Sequence, residues 1–331
     1  MAKVRYIETD LAIIGAGPTG LFATYYAGFR GLRVALIDSL PELGGQITAM
    51  YPEKAILDVA GFPNVKGRDL VAGLVEQARS ANPELLLGRT VLTLEDDGPE
   101  GEPGVCLGLD DGTTVRAGVA LITAGIGKFQ PRPLPAGEGW LGRGLEFFVP
   151  SFEPYADKDV VVVGGGDSAF DWALHLEPIA RSVTLVHRRD GFRAHERSVA
   201  AARASTIRMI TRAQVTRIGG EASLSEVEVV VDGEQPEVLP AQAVIAALGF
   251  VADLGPIQAW GLDTERRHVI VDGAMRTNRP RVFAAGDITE YPGKVRLIAV
   301  GFGEAATAVN NAAVVVDPAA HVFPGHSSEG S

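Results

Sequence analysis

The chain of 331 residues contains a single cysteine, Cys106. That excludes an intramolecular disulfide, a CxxC redox pair and any metal site built on thiolates. Cys106 sits in a strand-like run and reads as a small buried hydrophobe. Histidine is scarce too: the six present show no H-x-x-x-H or comparable spacing, so no metal site is expected. Runs approaching the roughly 18 apolar residues of a membrane span are missing. The first strand-like stretch begins within ten residues of Met1, which leaves no room for a signal peptide, and a cytoplasmic chain with no membrane contact is expected. Positive charge is the minority sign, 30 Lys and Arg against 41 Asp and Glu, and a net charge of −11 argues against a nucleic-acid partner.

What the chain has is glycine, 40 residues of it, in patterned positions. Asp10-Leu-Ala-Ile-Ile-Gly15-Ala-Gly17-Pro-Thr19-Gly20 is an apolar strand running into a glycine turn and a helix that reads on to Arg30. Gly15 permits the tight turn, Gly17 lets the backbone approach a pyrophosphate, and Gly20 lets the helix pack close to the strand, with the ligand on the helix's positive end. The next strand, Arg33 to Asp38, ends in an acid placed to accept hydrogen bonds from a ribose diol.

A glycine-rich loop follows from Leu40 to Gln46, then a helix over 68–81, strands over Leu85–Leu94 and Val105–Ala117 with a turn at Asp111-Gly112, and a closing strand from Ala120 to Gly125. The plan then repeats. Val160 to Val163 runs into Gly164-Gly-Gly166-Asp167-Ser168-Ala169, and Val183 to Val186 into His187-Arg188-Arg189. Gly15 to Asp38 and Gly164 to His187 are both 23 residues, and the turn at Asp232-Gly233 and the strand Ala243–Gly249 continue the echo. The copies differ where a ribose is read. Asp38 suits a free 2′-hydroxyl, as in FAD or NAD, whereas Arg188, Arg189 and Arg193 can grip a 2′-phosphate, so the second copy reads as an NADPH site.

After Gly249 no third copy begins. Thr277 to Ala285 is an extended segment into Gly286-Asp287, followed by a helix-compatible run from Glu304 to Val316. Here the chain resembles the flavoproteins with two dinucleotide-binding domains, whose second flavin motif is this Gly-Asp. The implied fold is α/β, three-layered, with two Rossmann-like domains and the NADPH domain (126–249) inserted into an FAD domain made of 1–125 and 250–331. Thioredoxin reductase is a relative, but its CxxC is replaced here by Gly144 to Ser151, which has no cysteine. The likeness is instead close to the thioredoxin-reductase-like ferredoxin–NADP reductases of bacteria. It is carried by Ile122-Thr-Ala-Gly-Ile-Gly127-Lys-Phe129, Gly164 to Trp172, His187 to Glu196, Tyr291-Pro-Gly-Lys294 and Pro324-Gly-His326-Ser-Ser328.

That resemblance implies FAD held by Gly15, Gly17, Thr19, Gly20, Asp38, Gln46, Val91, Phe129, Asp287 and Ser328, with Tyr51 stacked on one flavin face and His326 near the other. It implies NADPH held by Gly164, Gly166, Asp167, Ser168, His187, Arg188, Arg189 and Arg193. Where relatives carry glutamate at position 38 this chain has the shorter aspartate. Electrons are expected to pass from NADPH through FAD to ferredoxin or flavodoxin, in a homodimer, with a helix N-terminus near Glu304 aiming its dipole at the reduced flavin. An NADPH oxidase or diaphorase would use the same sites, and a nucleotide-sensing scaffold is the non-enzymatic alternative. Nine arginines between Arg181 and Arg217 face only Asp190 and Glu196, a local balance of +7, so Arg197, Arg203 and Arg208 are expected to dock an acidic carrier.

Overall fold

The computed structural model describes residues 5–98, 102–323 and 325. The chain forms two compact units, one of Met1–Lys128 and Ala252–Ser331 and one of Phe129–Val251.

The first unit is built on a sheet whose strands run in the order Glu84–Leu87, Val34–Asp38, Tyr6–Ile14, Thr114–Ile122, Val105–Leu109, Val91–Glu95. The first four are mutually parallel, and the last two fold back as an antiparallel meander. Thr114–Ile122 forks: its first half pairs with Val105–Leu109 and its last three residues with Val282–Ala284, which returns from the far end of the chain. Leu11 to Ile13 and Ala35 to Ile37 are wholly buried. They are covered on both faces, as central parallel strands must be, and this is why they read as continuous apolar runs. Helix α1, Pro18–Phe29, begins with proline at its first position, where the missing amide costs nothing. Helix α2 is the short Gln46–Met50, and α3 is Gly67–Ser80. The expected single strand Leu85–Leu94 is in fact two, because Gly88 turns the chain with φ +64°.

In the second unit the strands Leu145–Glu146, Ala243–Ala247, Asp159–Gly164, Ser182–Val186 and Arg208–Ile210 form a parallel sheet in that order. Helix α4, Asp167–Leu176, buries Ala169, Phe170, Trp172, Ala173 and Leu176, and α5, Glu196–Arg203, buries Ala202. A separate antiparallel sheet holds Ala213–Gly220, Leu224–Val231 and Glu237–Pro240. One long strand of the first unit, Thr114–Ile122, is therefore matched here by two short ones, Glu237–Pro240 and Ala243–Ala247.

The last helix, α6, is Ile298–Val316, six residues longer at its start than the expected run from Glu304. It also corrects the expectation about apolar runs: by length and composition alone it could cross a membrane. Its Gly301, Ala305, Ala308, Val309 and Ala312 face lies instead in the core, and it carries a buried Glu304.

Candidate cofactor and nucleotide sites

In the first unit four loops converge on the end of the parallel strands. A Cβ on Gly15 would lie 2.5 Å from the Thr123 carbonyl oxygen and one on Gly20 would lie 1.8 Å from the Gly15 carbonyl oxygen. Both positions are closed to any side chain. Above Gly17, in contrast, a Cβ would meet nothing within 4 Å. A turn held tightly below and open above, at the start of α1, is the shape that admits a pyrophosphate. Thr123, to which the sequence alone gives no role, ties the neighbouring strand to this turn by donating its hydroxyl to the Gly15 carbonyl at 2.7 Å.

Asp38 ends its strand with a 9% exposed side chain. Its carboxylate accepts the Ala16 amide at 2.5 Å and the Leu40 amide at 2.8 Å. Burial pushes this carboxyl up, and the Leu40 and Ala16 amides pull it part of the way back. The shorter acid thus fastens the glycine turn from behind, and a carboxylate has further lone pairs for a ribose diol. Val91 has its side chain in the core, so it can face a ligand only through its backbone. The turn before it is docked on the Asp38 strand, the Arg89 amide donating to the Asp38 carbonyl at 2.9 Å.

The Gly44 amide donates to the Ala16 carbonyl at 2.9 Å, which lays the Leu40–Gln46 loop against the first turn. That places Gln46, the first residue of α2, with its Nε2 3.2 Å from where a Cβ on Gly125 would be. Tyr51 caps the other end of α2 and packs on the core. Its hydroxyl is pushed up to about 12 by burial and by the charges of Asp287 and Asp58, so Tyr51 and Asp287, 236 residues apart, share one electrostatic environment.

Asp287 follows Gly286, whose φ is +84°. Thr19 lies against this turn and against α6: a Cβ on Gly286 would be 2.9 Å, and one on Gly301 2.5 Å, from the Thr19 hydroxyl oxygen. Thr19 therefore joins the first glycine turn, the Gly-Asp turn and α6. Beneath lies a buried ion pair between Lys294 and Glu304, whose side chains are 1% and 4% exposed. Neither Lys294, Tyr291 nor Glu304 was recognised from sequence as part of a site. Glu304, expected near a helix start, lies instead in the second turn of α6, whose N-terminus is at Ile298. His326 and Ser328 lie outside the described residues, and Phe129 is described only by its backbone, in the strand Lys128–Pro131.

In the second unit, Gly164 is closed by the Ala247 carbonyl oxygen, 2.4 Å from its would-be Cβ, and Gly166 is open. The pattern of Gly15 and Gly17 is repeated. His187 packs its ring over Gly165 and against Phe192, centroids 5.3 Å apart, and its Nε2 donates to the Gly191 carbonyl at 3.2 Å. Burial holds this imidazole below its usual value; the Gly191 carbonyl opposes the shift, and Arg188, Arg189 and Arg193 add to it. The neutral form of His187 is thereby favoured, and its ring forms a flat wall over Gly165. Asp167 and Ser168 are exposed at the start of α4. The Asp167 carboxylate accepts the His195 amide at 2.8 Å, so it secures the loop that carries the arginines.

Arg188, Arg189 and Arg193 are exposed, and none pairs with an acid among the described residues. Other arginines of the basic stretch are spoken for. Arg181 pairs with Asp159, Arg208 binds Glu237 through two 2.8 Å hydrogen bonds, Arg212 lies between Asp190 and Asp232, and Arg217 between Glu226 and Glu228. Of the three arginines expected to dock a carrier, Arg208 is engaged by Glu237, while Arg197 and Arg203 are unpaired among the described residues. A group of unmatched guanidinium groups at the end of the second strand is suited to an ester phosphate, and the acid at the same place in the first unit is not.

With this geometry in view, residues 9–312 match the pyridine nucleotide-disulphide oxidoreductase family. A ferredoxin–NADP reductase of a Nocardioides species is 75% identical over 325 residues, 98% of each chain. A ferredoxin–NADP reductase of Salinispora arenicola is 60% identical, covering 98% of this chain and 99% of that protein. Among solved structures, Lactococcus lactis thioredoxin reductase superposes with a TM-score of 0.77 at 26% identity, over 93% of this chain and 99% of that one.

Proposed function

Since the chain belongs to the pyridine nucleotide-disulphide oxidoreductase family, and within it to the thioredoxin-reductase-like ferredoxin–NADP reductases, we propose that it moves electrons between NADPH and ferredoxin through FAD. The observation that carries the reading is the opposite ribose chemistry of two like glycine turns. Asp38 stands at one, and Arg188, Arg189 and Arg193, with no acid partner among the described residues, stand at the other. FAD, when bound, supplies the exchange between a two-electron hydride and single electrons. The residues present fit that group: the open space above Gly17, the carboxylates of Asp38 and Asp287, and Gln46 and Tyr51 line one end of the first sheet.

The part of the protein is to hold, orient and tune. Asp38 would accept from the adenosine ribose diol, Gln46 would lie along the FAD, Asp287 would accept from the ribityl hydroxyls, and Tyr51 would offer a ring to one flavin face. By the resemblance alone, His326 offers a ring to the other face, and Phe129 and Ser328 complete the set. His187 and the three arginines would hold the adenosine end of NADPH, burial favouring the neutral imidazole. Relay of electrons to a disulfide through a dithiol of its own is not open to this chain, because its one cysteine, Cys106, lies in the strand Val105–Leu109 beside Arg116.

Flavodoxin is a second acceptor of the same chemistry, and a cytoplasmic homodimer is part of the same reading. Its support is the row of rings on α1, Phe22, Tyr26 and Phe29, stacked at 6.1 and 5.9 Å with Phe29 53% exposed. The test is NADPH-driven cytochrome c reduction with and without added ferredoxin or flavodoxin. Strong dependence on the carrier is expected. A carrier-independent rate with rapid oxygen uptake would instead indicate an oxidase or diaphorase, and a bound flavin that NADPH fails to bleach would indicate a sensing scaffold.

A further inference from the structure

The Lys294 and Glu304 pair is an unusual object for the interior of a small sheet domain. Replacing a buried ion pair by apolar residues is often neutral or stabilising, so such a pair is poor evidence of a stability device. Its contacts point elsewhere. Glu304 accepts the Gly286 amide at 2.7 Å on one oxygen and takes the Tyr291 hydroxyl and the Lys294 ammonium on the other. Lys294 donates a second hydrogen bond to the Gly286 carbonyl at 3.0 Å and stands 5.4 Å from the centre of the Tyr291 ring. Thr289 gives its one hydroxyl proton to the same carbonyl at 2.7 Å. Both the amide and the carbonyl of Gly286 are thus gripped, and the residue so aimed is Asp287.

The groups contributing charge around Asp287 are Lys294, Arg296, Glu304 and His268, with the Tyr51 hydroxyl beside it. Burial raises the Asp287 carboxyl; Lys294 and Arg296 oppose this, Glu304 adds to it, and His268 opposes it. The positive member of the pair helps keep Asp287 ionised, the state that accepts two hydroxyl hydrogen bonds.

We propose that Lys294 and Glu304 are positioning residues for the cofactor: their buried ion pair fixes the Gly286–Asp287 turn against the ribityl chain, and its charge balance tunes the potential of the bound flavin. This rests on FAD occupying the first unit. Should the wild-type protein bind no FAD, that reading fails first and separately.

The experiment compares wild type with Lys294→Met, Glu304→Gln and the double variant, measuring FAD binding to apoprotein by flavin fluorescence from pH 5.5 to 8.5 and the two-electron potential of the bound flavin against a reference dye. Lys294→Met should lower the potential and weaken FAD binding most at low pH, as Asp287 becomes easier to protonate. Glu304→Gln should raise the potential. A tenfold change in relative affinity for oxidised and reduced flavin reads as about 30 mV. The double variant buries no unpaired charge, so it should fold with a Tm near wild type, return toward the wild-type potential, and still bind FAD about tenfold more weakly, because the Lys294 hydrogen bond to the Gly286 carbonyl is lost and a neutral amide replaces the carboxylate that accepts the Gly286 amide. Wild-type FAD affinity in the folded double variant would overturn the proposal. So would single variants that shift the potential in the same direction. If a single variant does not fold, the double variant's affinity decides alone.

Discussion

The imidazole of His187 occupies the space a side chain on Gly165 would need, its ring atoms lying 2.3 to 2.6 Å from where the Cβ would be built. The ring is also held by Phe192 and the Gly191 carbonyl, so it cannot yield cheaply. Gly165→Ala should push His187 and the loop it anchors away from the nucleotide. The expected result is a KM for NADPH raised roughly tenfold or more, the size of a few lost contacts, with chemical reduction of the bound flavin unchanged. An unaltered KM in steady-state assays would show that the ring moves aside freely.

Nucleotide choice should rest on Arg188, Arg189 and Arg193, which have no acid partner among the described residues. A hydrogen bond to a charged group is worth about 1.5–3 kcal/mol, and these arginines are exposed, so the lower figure applies. Arg188→Ala and Arg189→Ala should each lower kcat/KM for NADPH about tenfold while barely changing that for NADH. Equal values for the two nucleotides in the wild-type enzyme would remove the assignment.

Carrier docking should respond to Arg197 and Arg203, the arginines of α5 with no acid partner among the described residues. Arg197→Glu with Arg203→Glu should weaken ferredoxin reduction at low salt, with the difference closing at high ionic strength, and leave ferricyanide reduction alone. Arg208→Glu should show up mainly as lost stability, since it would face Glu237. If Arg208→Glu instead matched the α5 variants in carrier kinetics, the distinction between paired and unpaired arginines would be wrong.

Stability should depend on pH through Asp159. The hydrogen bond from Arg181 holds its carboxyl below the usual range, burial opposes, and Ser182 assists. A depressed carboxyl gives stability that is present above the unfolded value, about 3.9, and is lost as pH falls through the lower folded value. Asp159→Asn should therefore melt below wild type at pH 7, with the gap narrowing below about pH 4. A gap that persists unchanged into acid would mean that Asp159 contributes through shape alone.

Removing residues 324–331 tests His326 as a movable cover on the flavin. The truncation keeps the anchor of the preceding segment, Arg30 donating to the carbonyls of His321 at 2.8 Å and Val322 at 3.3 Å. Stopped-flow reduction by NADPH should become faster and oxygen consumption should rise. Superimposable traces for the two proteins would leave the tail without a role in the reaction.

Much of the candidate site is legible in the chain because its signals are consecutive residues. Gly15 to Gly20, Gly164 to Ala169, Asp38 and the pair Arg188 and Arg189 each act through local backbone geometry or through their place at a strand end. The start of α6 could not be read in the same way. Ile298 to Gly303 contains Gly301 and Gly303, which weaken any helical reading. Gly301 is needed because Thr19, from the other end of the chain, lies where its side chain would be.

The sequence by itself determined two dinucleotide turns with opposite ribose chemistry and ruled out a dithiol, since each of these is a matter of which residues are present and in what order. Only tertiary structure decided which charges are available. Arg208 meets Glu237 and Lys294 meets Glu304 across turns and sheets that no count along the chain can see, because electrostatic pairing depends on distance in space and on exclusion of water. The same packing turned Glu304 from an expected helix start into the buried carboxylate that holds Gly286 and aims Asp287.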